Sequence, residues 1–441
     1  MVFALVAGAL IARLMYLQLY DKARYTKLAL AQRMQPTTID AQRGNIYDRN
    51  YVLLAKSIEA YSIHVVPNRA RDPRDAAEKL APYLERSVEE IEKLLIEYDA
   101  KQTSFWLARR LTLETAQAIR QLQIPGIYLI TRPQRFYPQG TLAAHVIGIA
   151  GIDNQGLEGL EYYYDELLRG TPGRLETEKD ALQRKIPGGA ETFISPENGY
   201  DLVLTIDSVI QYIAEKELQS AVNATQSTSG CILIIRPSTG EILANAVYPT
   251  FDPNNYQAYP QGNRRNIIVT DQYEPGSTFK IFTAAAALDL GIVDANRVFN
   301  STASWSVGGG TVRSSNIYGY GKITFKEAFD RSDNITFAQL SVEMGPERFY
   351  PYLSSFGLGK KTGIDYPGEA AGTLPKPGQI KYGETLQWAN IGFGQGVAVT
   401  PLQLLMGVSA VANEGKLMRP YYVAEIRDQQ GKVIKSTVPE V

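Results

Sequence analysis

Ser277-Thr-Phe-Lys280 is the one Ser-x-x-Lys in the chain, and it follows Glu274-Pro275-Gly276 at an expected helix start. A serine and a lysine three apart on a helix share a face, so the amine can reach the hydroxyl. An uncharged amine there can take the hydroxyl proton and free the oxygen to attack a carbonyl. For that, the amine must titrate well below its free value of about 10.4, through burial or neighbouring donors. The turn at Pro275-Gly276 puts Ser277 where free backbone N–H groups favour developing negative charge, so its own N–H is a candidate oxyanion donor. With only His64 and His145 available, a serine–histidine–aspartate triad has little to draw on. Taken alone, a Ser-x-x-Lys is common on wet helix faces and decides nothing.

Ser332-Asp333-Asn334 falls in an expected break between two helices, where side chains can project into a cleft. It offers a hydroxyl for proton relay and an amide that both donates and accepts. Its bland reading is a helix-breaking turn.

These residues need a scaffold. At 441 residues, with 44% hydrophobic and 21% charged side chains, the chain can bury two or three domains' worth of core. A net charge of −1 gives no electrostatic case for nucleic acid. The single cysteine, Cys231, excludes an internal disulfide and a cysteine-based zinc site. Neither a phosphate-binding glycine loop nor a histidine–carboxylate cluster is present, so no cofactor and no metal is expected. The apolar run from Met1 to Ala12, continued by Leu14-Met-Tyr-Leu17, is short for a full span of about 20 residues. It reads as part of a membrane anchor (residues 1–19), the alternative being a buried amphipathic helix. Residues 20–170 mix short strands and helices, His64 sitting on a strand, and turn-rich residues 171–200 read as a linker. Residues 201–441 carry a strand at Asp201–Ile206, a helix at 208–222 and a hairpin at 230–247. Helices follow at 277–290, 335–344 and after the capping box Thr400-Pro-Leu-Gln403. The class is α+β, with helices packed on an antiparallel sheet.

Several stretches resemble the class B penicillin-binding proteins, peptidoglycan D,D-transpeptidases. They are Arg43-Gly-Asn-Ile-Tyr-Asp-Arg-Asn50, Arg135-Phe-Tyr-Pro138 with His145, Gly156-Leu-Glu-Gly-Leu-Glu161, Leu204-Thr-Ile-Asp207, Tyr273 through Lys280, Gly392-Phe-Gly-Gln-Gly396 and Thr400-Pro-Leu-Gln403. The resemblance covers nearly the whole chain and leans to the division or sporulation branch. It implies an elongated N-terminal pedestal of dimerisation type (20–170) and a penicillin-binding transpeptidase domain (201–441). Ser277 would attack the penultimate D-Ala carbonyl of a stem peptide, and an amine of a neighbouring stem would then take the acyl group. Lys280 would be the base, Ser332 the proton relay, Asn334 would hold the donor amide and Lys280, and Asp333 would point away from the cleft. β-Lactams, mimicking D-Ala-D-Ala, would acylate Ser277. Expected partners are stem peptides, a membrane-embedded glycosyltransferase and division proteins. The expected location is the inner membrane, single-pass, with the catalytic domain outside the cytoplasm.

Two departures carry expectations. In the family a catalytic Lys-Thr-Gly strand follows the Thr-Pro-Leu-Gln helix. Lys361-Thr-Gly363 precedes that helix and runs into Ile-Asp-Tyr-Pro-Gly-Glu369, a turn-rich loop rather than a strand, so it is expected to be a decoy and the domain incomplete at its C-terminal side. An open sheet edge, and little penicillin binding or crosslinking by residues 1–441 alone, are then expected. Tyr51 stands where the family has glycine, and Asn50 is expected to absorb the positive φ. Other readings remain: a β-lactamase or β-lactam sensor of the same chemistry, or a non-catalytic scaffold.

Overall fold

Asp72, Ser87 and Thr112 each precede an apolar-periodic run, and each caps a helix in the computed structural model. The structure describes residues 2–25, 34–70, 72–101, 103–178, 186, 188, 191–379 and 382–441. The chain forms two compact units, a smaller one of Met1–Gly44, Ser57–Gln134 and Arg169–Gly199, and a larger one of Asn45–Lys56, Arg135–Leu168 and Tyr200–Val441.

In the smaller unit the capped helices are Pro73–Leu80, Val88–Ala100 and Leu113–Gln121. Ser87 and Glu90 form a reciprocal capping box. The helices bury Leu80, Ile91, Leu95 and Ile119 against Ile63, Val65, Phe105 and Leu107 of an antiparallel sheet. His64 lies on that sheet, in Leu53–Val65, paired with Trp106. The expected linker is different. Its described part holds strands Gly173–Glu178 and Glu191–Ile194, which pair antiparallel with each other and, through Gly173–Glu178, with Met34–Ile39. Backbone pairing across more than a hundred residues overrides a polar, turn-rich composition that gives no local sign of it. The rest of that stretch, 179–185, 187 and 189–190, lies outside the described residues.

The helix Val2–Met15 and the π-helical turn Tyr16–Tyr20 are exposed along most of their length. Among the described residues, no helix is long and apolar enough to cross a membrane.

The larger unit has two principal cores and smaller satellite clusters. The first gathers Ile46, Leu54, Leu202, Leu204, Ile268, Leu402, Met406 and Tyr422. Here Asp201–Leu204 pairs antiparallel with Val423–Arg427, as expected, and parallel with Ile46–Tyr47 from the N-terminal part of the chain. The expected hairpin is present as Gly230–Ile235 with Ile242–Tyr248. Helix Ser208–Thr225, capped by Asp207, covers one of its faces through Ala214, Leu218 and Val222. Among the described strands, Gly230–Ile235 pairs on one edge only. A buried ion pair, Arg135 Nε to Glu161 Oε1 at 2.5 Å, also receives the Tyr137 hydroxyl at 3.4 Å.

Tyr51, not Asn50, carries the positive φ, at 62°. The Asp48 carboxylate accepts the N–H groups of Asn50 and Val52 on either side and fixes the turn there. The Arg427 guanidinium lies 4.9 Å over the Tyr51 ring and donates to its hydroxyl, holding the side chain in place.

The second core is aromatic: Phe279, Phe282, Phe337, Phe349, Trp388 and Phe393. It clamps helices Lys280–Asp289, Asn334–Met344 and Glu384–Ile391 together. Two of these carry the candidate site.

Candidate active site

The helix expected to start at Ser277 begins as a 3-10 turn, Gly276–Phe279, and becomes α-helical from Lys280 to Asp289. Gly276 takes φ +58°, a conformation that suits glycine and sharpens the turn. Ser277 is left exposed at its crest while Lys280, three residues on, is 3% exposed. The other wall comes from a second helix start. Asn334–Met344 is capped by Asp333, whose carboxylate accepts the Thr336 N–H at 2.9 Å and its hydroxyl at 2.8 Å. Ser301 also donates to it, at 2.9 Å. Asp333 is therefore turned from the cleft, as expected. Ser332, just before the cap, is held at φ +54°, in left-handed backbone that a serine seldom occupies.

The structure brings all four candidate residues together around one nitrogen. Lys280 Nζ lies 3.2 Å from Ser277 Oγ, 3.0 Å from Ser332 Oγ and 2.8 Å from Asn334 Oδ1. Its shortest contact, 2.6 Å, is to the Ser332 backbone carbonyl. No side-chain type encodes that acceptor; the left-handed turn at Ser332 aims it. The Phe337 ring sits 5.5 Å from the same nitrogen. Burial pulls the Lys280 amine down to about 8, against the opposing pull of the Asp333 charge. Two fixed acceptors, the Ser332 carbonyl and Asn334 Oδ1, can take two N–H groups of a neutral amine. Its lone pair is then left for the Ser277 hydroxyl.

A glycine turn escaped the sequence reading as a functional element. Gly392-Phe-Gly-Gln-Gly396 packs behind both walls. The Gly276 N–H donates to the Gly394 carbonyl at 3.0 Å, and the Thr283 hydroxyl donates to the Gly392 carbonyl at 2.8 Å. A β-carbon on Gly394 would meet the Gly276 carbonyl oxygen at 2.1 Å. The three closely spaced glycines were the available signal.

Lys361-Thr-Gly363 is elsewhere. The Thr362 N–H and hydroxyl donate to Glu369 Oε1, each at 2.6 Å, so the segment closes a loop on itself. Arg419 Nε donates to the Gly363 carbonyl at 2.8 Å. Lys361 is exposed, and no contact ties it to the four-residue cluster. His145, the other histidine, is buried with Nε2 2.8 Å from the Asn263 carbonyl, and burial lowers it to about 4. Among the described residues no His, Cys, Asp and Glu cluster could hold a metal ion.

Residues 230–440 match the penicillin binding protein transpeptidase domain, and residues 38–204 the penicillin-binding protein dimerisation domain. Stage V sporulation protein D of Bacillus subtilis is 37% identical over 446 aligned positions, covering 99% of this chain and 68% of that protein. Peptidoglycan D,D-transpeptidase FtsI of Escherichia coli is 30% identical, covering 96% of this chain and 72% of that one. Among solved structures, penicillin-binding protein 2X of Streptococcus thermophilus superposes with a TM-score of 0.72 at 25% identity, over 92% of this chain and 63% of that one. Penicillin-binding protein 3 of Mycobacterium tuberculosis, complexed with aztreonam, gives 0.67 at 28% identity, over 92% and 71%.

Proposed function

The chain belongs to the class B penicillin-binding proteins, peptidoglycan D,D-transpeptidases, and from that premise we propose that it crosslinks stem peptides through an acyl-enzyme on Ser277. The observation that carries the reading is the Lys280 amine, buried and surrounded by neutral acceptors, 3.2 Å from an exposed serine hydroxyl.

In the first step neutral Lys280 takes the Ser277 proton as Oγ attacks the penultimate D-Ala carbonyl. The peptide bond breaks and an ester to Ser277 forms. The departing nitrogen of the terminal D-Ala receives its proton from the ammonium through the Ser332 hydroxyl, 3.0 Å from Nζ. In the second step an amine of a neighbouring stem attacks the ester. A new amide forms, its surplus proton passes to Lys280, and Ser277 Oγ is reprotonated as it leaves. Asn334 holds the amine through Oδ1; its NH₂ donates one hydrogen to the Arg313 carbonyl at 3.3 Å and offers the other to the donor's amide, while the Ser277 N–H stabilises the oxyanion.

β-Lactams are read as acylating the same oxygen; the aztreonam complex of the M. tuberculosis relative supports this. The proposed place is septal cell-wall synthesis, beside a membrane glycosyltransferase and division proteins; the sporulation protein among the relatives supports the division or sporulation branch. The exposed apolar helix Val2–Met15 supports an anchor in the cell membrane, with the catalytic unit outside the cytoplasm. A labelled-penicillin gel on the complete protein tests the acyl-enzyme. Covalent label on wild type and none on Ser277→Ala is expected; label persisting on that variant would refute the assignment.

A further inference from the structure

The residue before the nucleophile's proline, Glu274, has no part in the chemistry above, yet it reaches across to the glycine turn. Its Oε1 accepts the Gly396 N–H at 2.7 Å. Gly396 is at φ +73°, and its carbonyl accepts from Gln387 Nε2 at 3.2 Å. The same turn is bound to the nucleophile segment by Gly276 N–H to Gly394 O, and Tyr273 bridges to Val399 just beyond it. On its far side the turn meets the helix that carries Asn334. A β-carbon on Gly392 would lie 2.5 Å from the Phe337 carbonyl and 2.7 Å from Ser341. One five-residue turn therefore touches both walls of the site; the Thr283 hydroxyl holds its Gly392 end, and Glu274, on the nucleophile's own strand-side approach, holds its Gly396 end.

We propose that Glu274 is a positioning residue: its bond to the Gly396 amide latches the Gly392–Gly396 turn and thereby fixes Ser277 Oγ relative to Lys280, Ser332 and Asn334. The requirement is geometric. Phe279 anchors the 3-10 turn at its inner end, but Ser277 at its crest is exposed and Gly276 at φ +58° is its flexible joint, so the crest needs a fixed support behind it. Nucleophilic attack is sensitive to displacements of about an ångström, which cost up to about a hundredfold in rate. A carboxylate acceptor on a backbone N–H makes a short, strong latch. This inference rests on Ser277 as nucleophile, but the latch itself does not.

Two measurements on the protein separate these. Hydrogen exchange reads the latch directly. In Glu274→Ala, exchange should rise about tenfold in segment 392–396 and also in 274–279, without change in the Ser208–Thr225 helix. The kinetics of acylation by a fluorescent penicillin read its consequence. Glu274→Ala should lower the acylation rate constant at least about tenfold with little change in noncovalent affinity. Glu274→Gln, which keeps an oxygen acceptor, should restore the rate to within about threefold and restore the exchange pattern. The proposal is overturned if Glu274→Ala leaves exchange in 274–279 unaltered, or if Glu274→Gln fails as fully as Glu274→Ala. Absence of any Ser277-dependent acylation in wild type would overturn the functional reading instead, and the exchange arm would still decide the latch.

Discussion

Arg135 and Lys280 are both buried cations in the larger unit, and they are treated in opposite ways. Arg135 faces a carboxylate, Glu161, at 2.5 Å, in a motif that holds the fold together. Lys280 is packed as deeply but touches only neutral oxygens, from two serines and an asparagine. A paired charge keeps its charge; one given neutral acceptors and burial loses much of its reason to stay protonated, and its amine falls to about 8. The contrast says where the protein accepts an unneutralised cation, and it does so beside an exposed hydroxyl. The Lys361 segment makes the same point from outside: similar letters on an exposed, self-closed loop acquire none of this chemistry.

Breaking the pair at its catalytic member should have the largest effect on activity. Lys280→Met is expected to lower penicillin acylation by about a thousandfold or more, measured by stopped-flow labelling. It should not lower stability at pH 7, because it removes a charge that the folded state penalises. The sign follows from the folded value lying below the unfolded one of about 10.4. The ammonium costs stability at pH below about 8, and that cost is relieved as pH rises from about 8 toward the unfolded value. Urea unfolding at pH 7 and pH 10 should show the variant's advantage shrinking. The structural member should respond the other way. Glu161→Gln leaves Arg135 without this carboxylate and should cost about 3–5 kcal/mol of stability, with the acylation rate of the folded fraction preserved.

The comparison sharpens if Lys280 is given a partner like that of Arg135. Wild-type acylation should rise about tenfold per pH unit below about 8 and level off above it. Asn334→Asp places a carboxylate 2.8 Å from the amine, so the midpoint should move upward. The rate at pH 7 should fall about tenfold, and a profile unmoved by the substitution would sink the account of why the amine is neutral. The smallest effect belongs to a third, half-buried cation, Arg427. Tyr51→Gly relieves a positive φ but forfeits the Arg427 stack, so calorimetry should find a net change within about 1 kcal/mol.

Much of the site could be read from the residues because its logic is local. Ser277 and Lys280 are three apart, and the Asp333 cap breaks two helices at a place the side chains announce. What escaped reading is carried by backbone and by distance. The Ser332 carbonyl, the tightest contact to Lys280, has no side-chain signature. The glycine turn meets the nucleophile more than a hundred residues away in sequence. Ile46–Tyr47 pairs parallel with Asp201–Leu204, and the supposed linker pairs with Met34–Ile39, through main-chain bonds to which composition is indifferent.

The division of the chain among the two units has a consequence for how the protein is made. Each unit is assembled from three separate segments, and Asn45–Lys56 belongs with a body whose bulk starts at Tyr200. A ribosome therefore releases those early residues long before their partners exist. The apolar Ile46, Leu54 and Ala55 must wait, uncovered, for the strand and helices that will bury them. Such a chain has an extended window of exposure during synthesis, in which holdase chaperones would find their targets at residues 45–56.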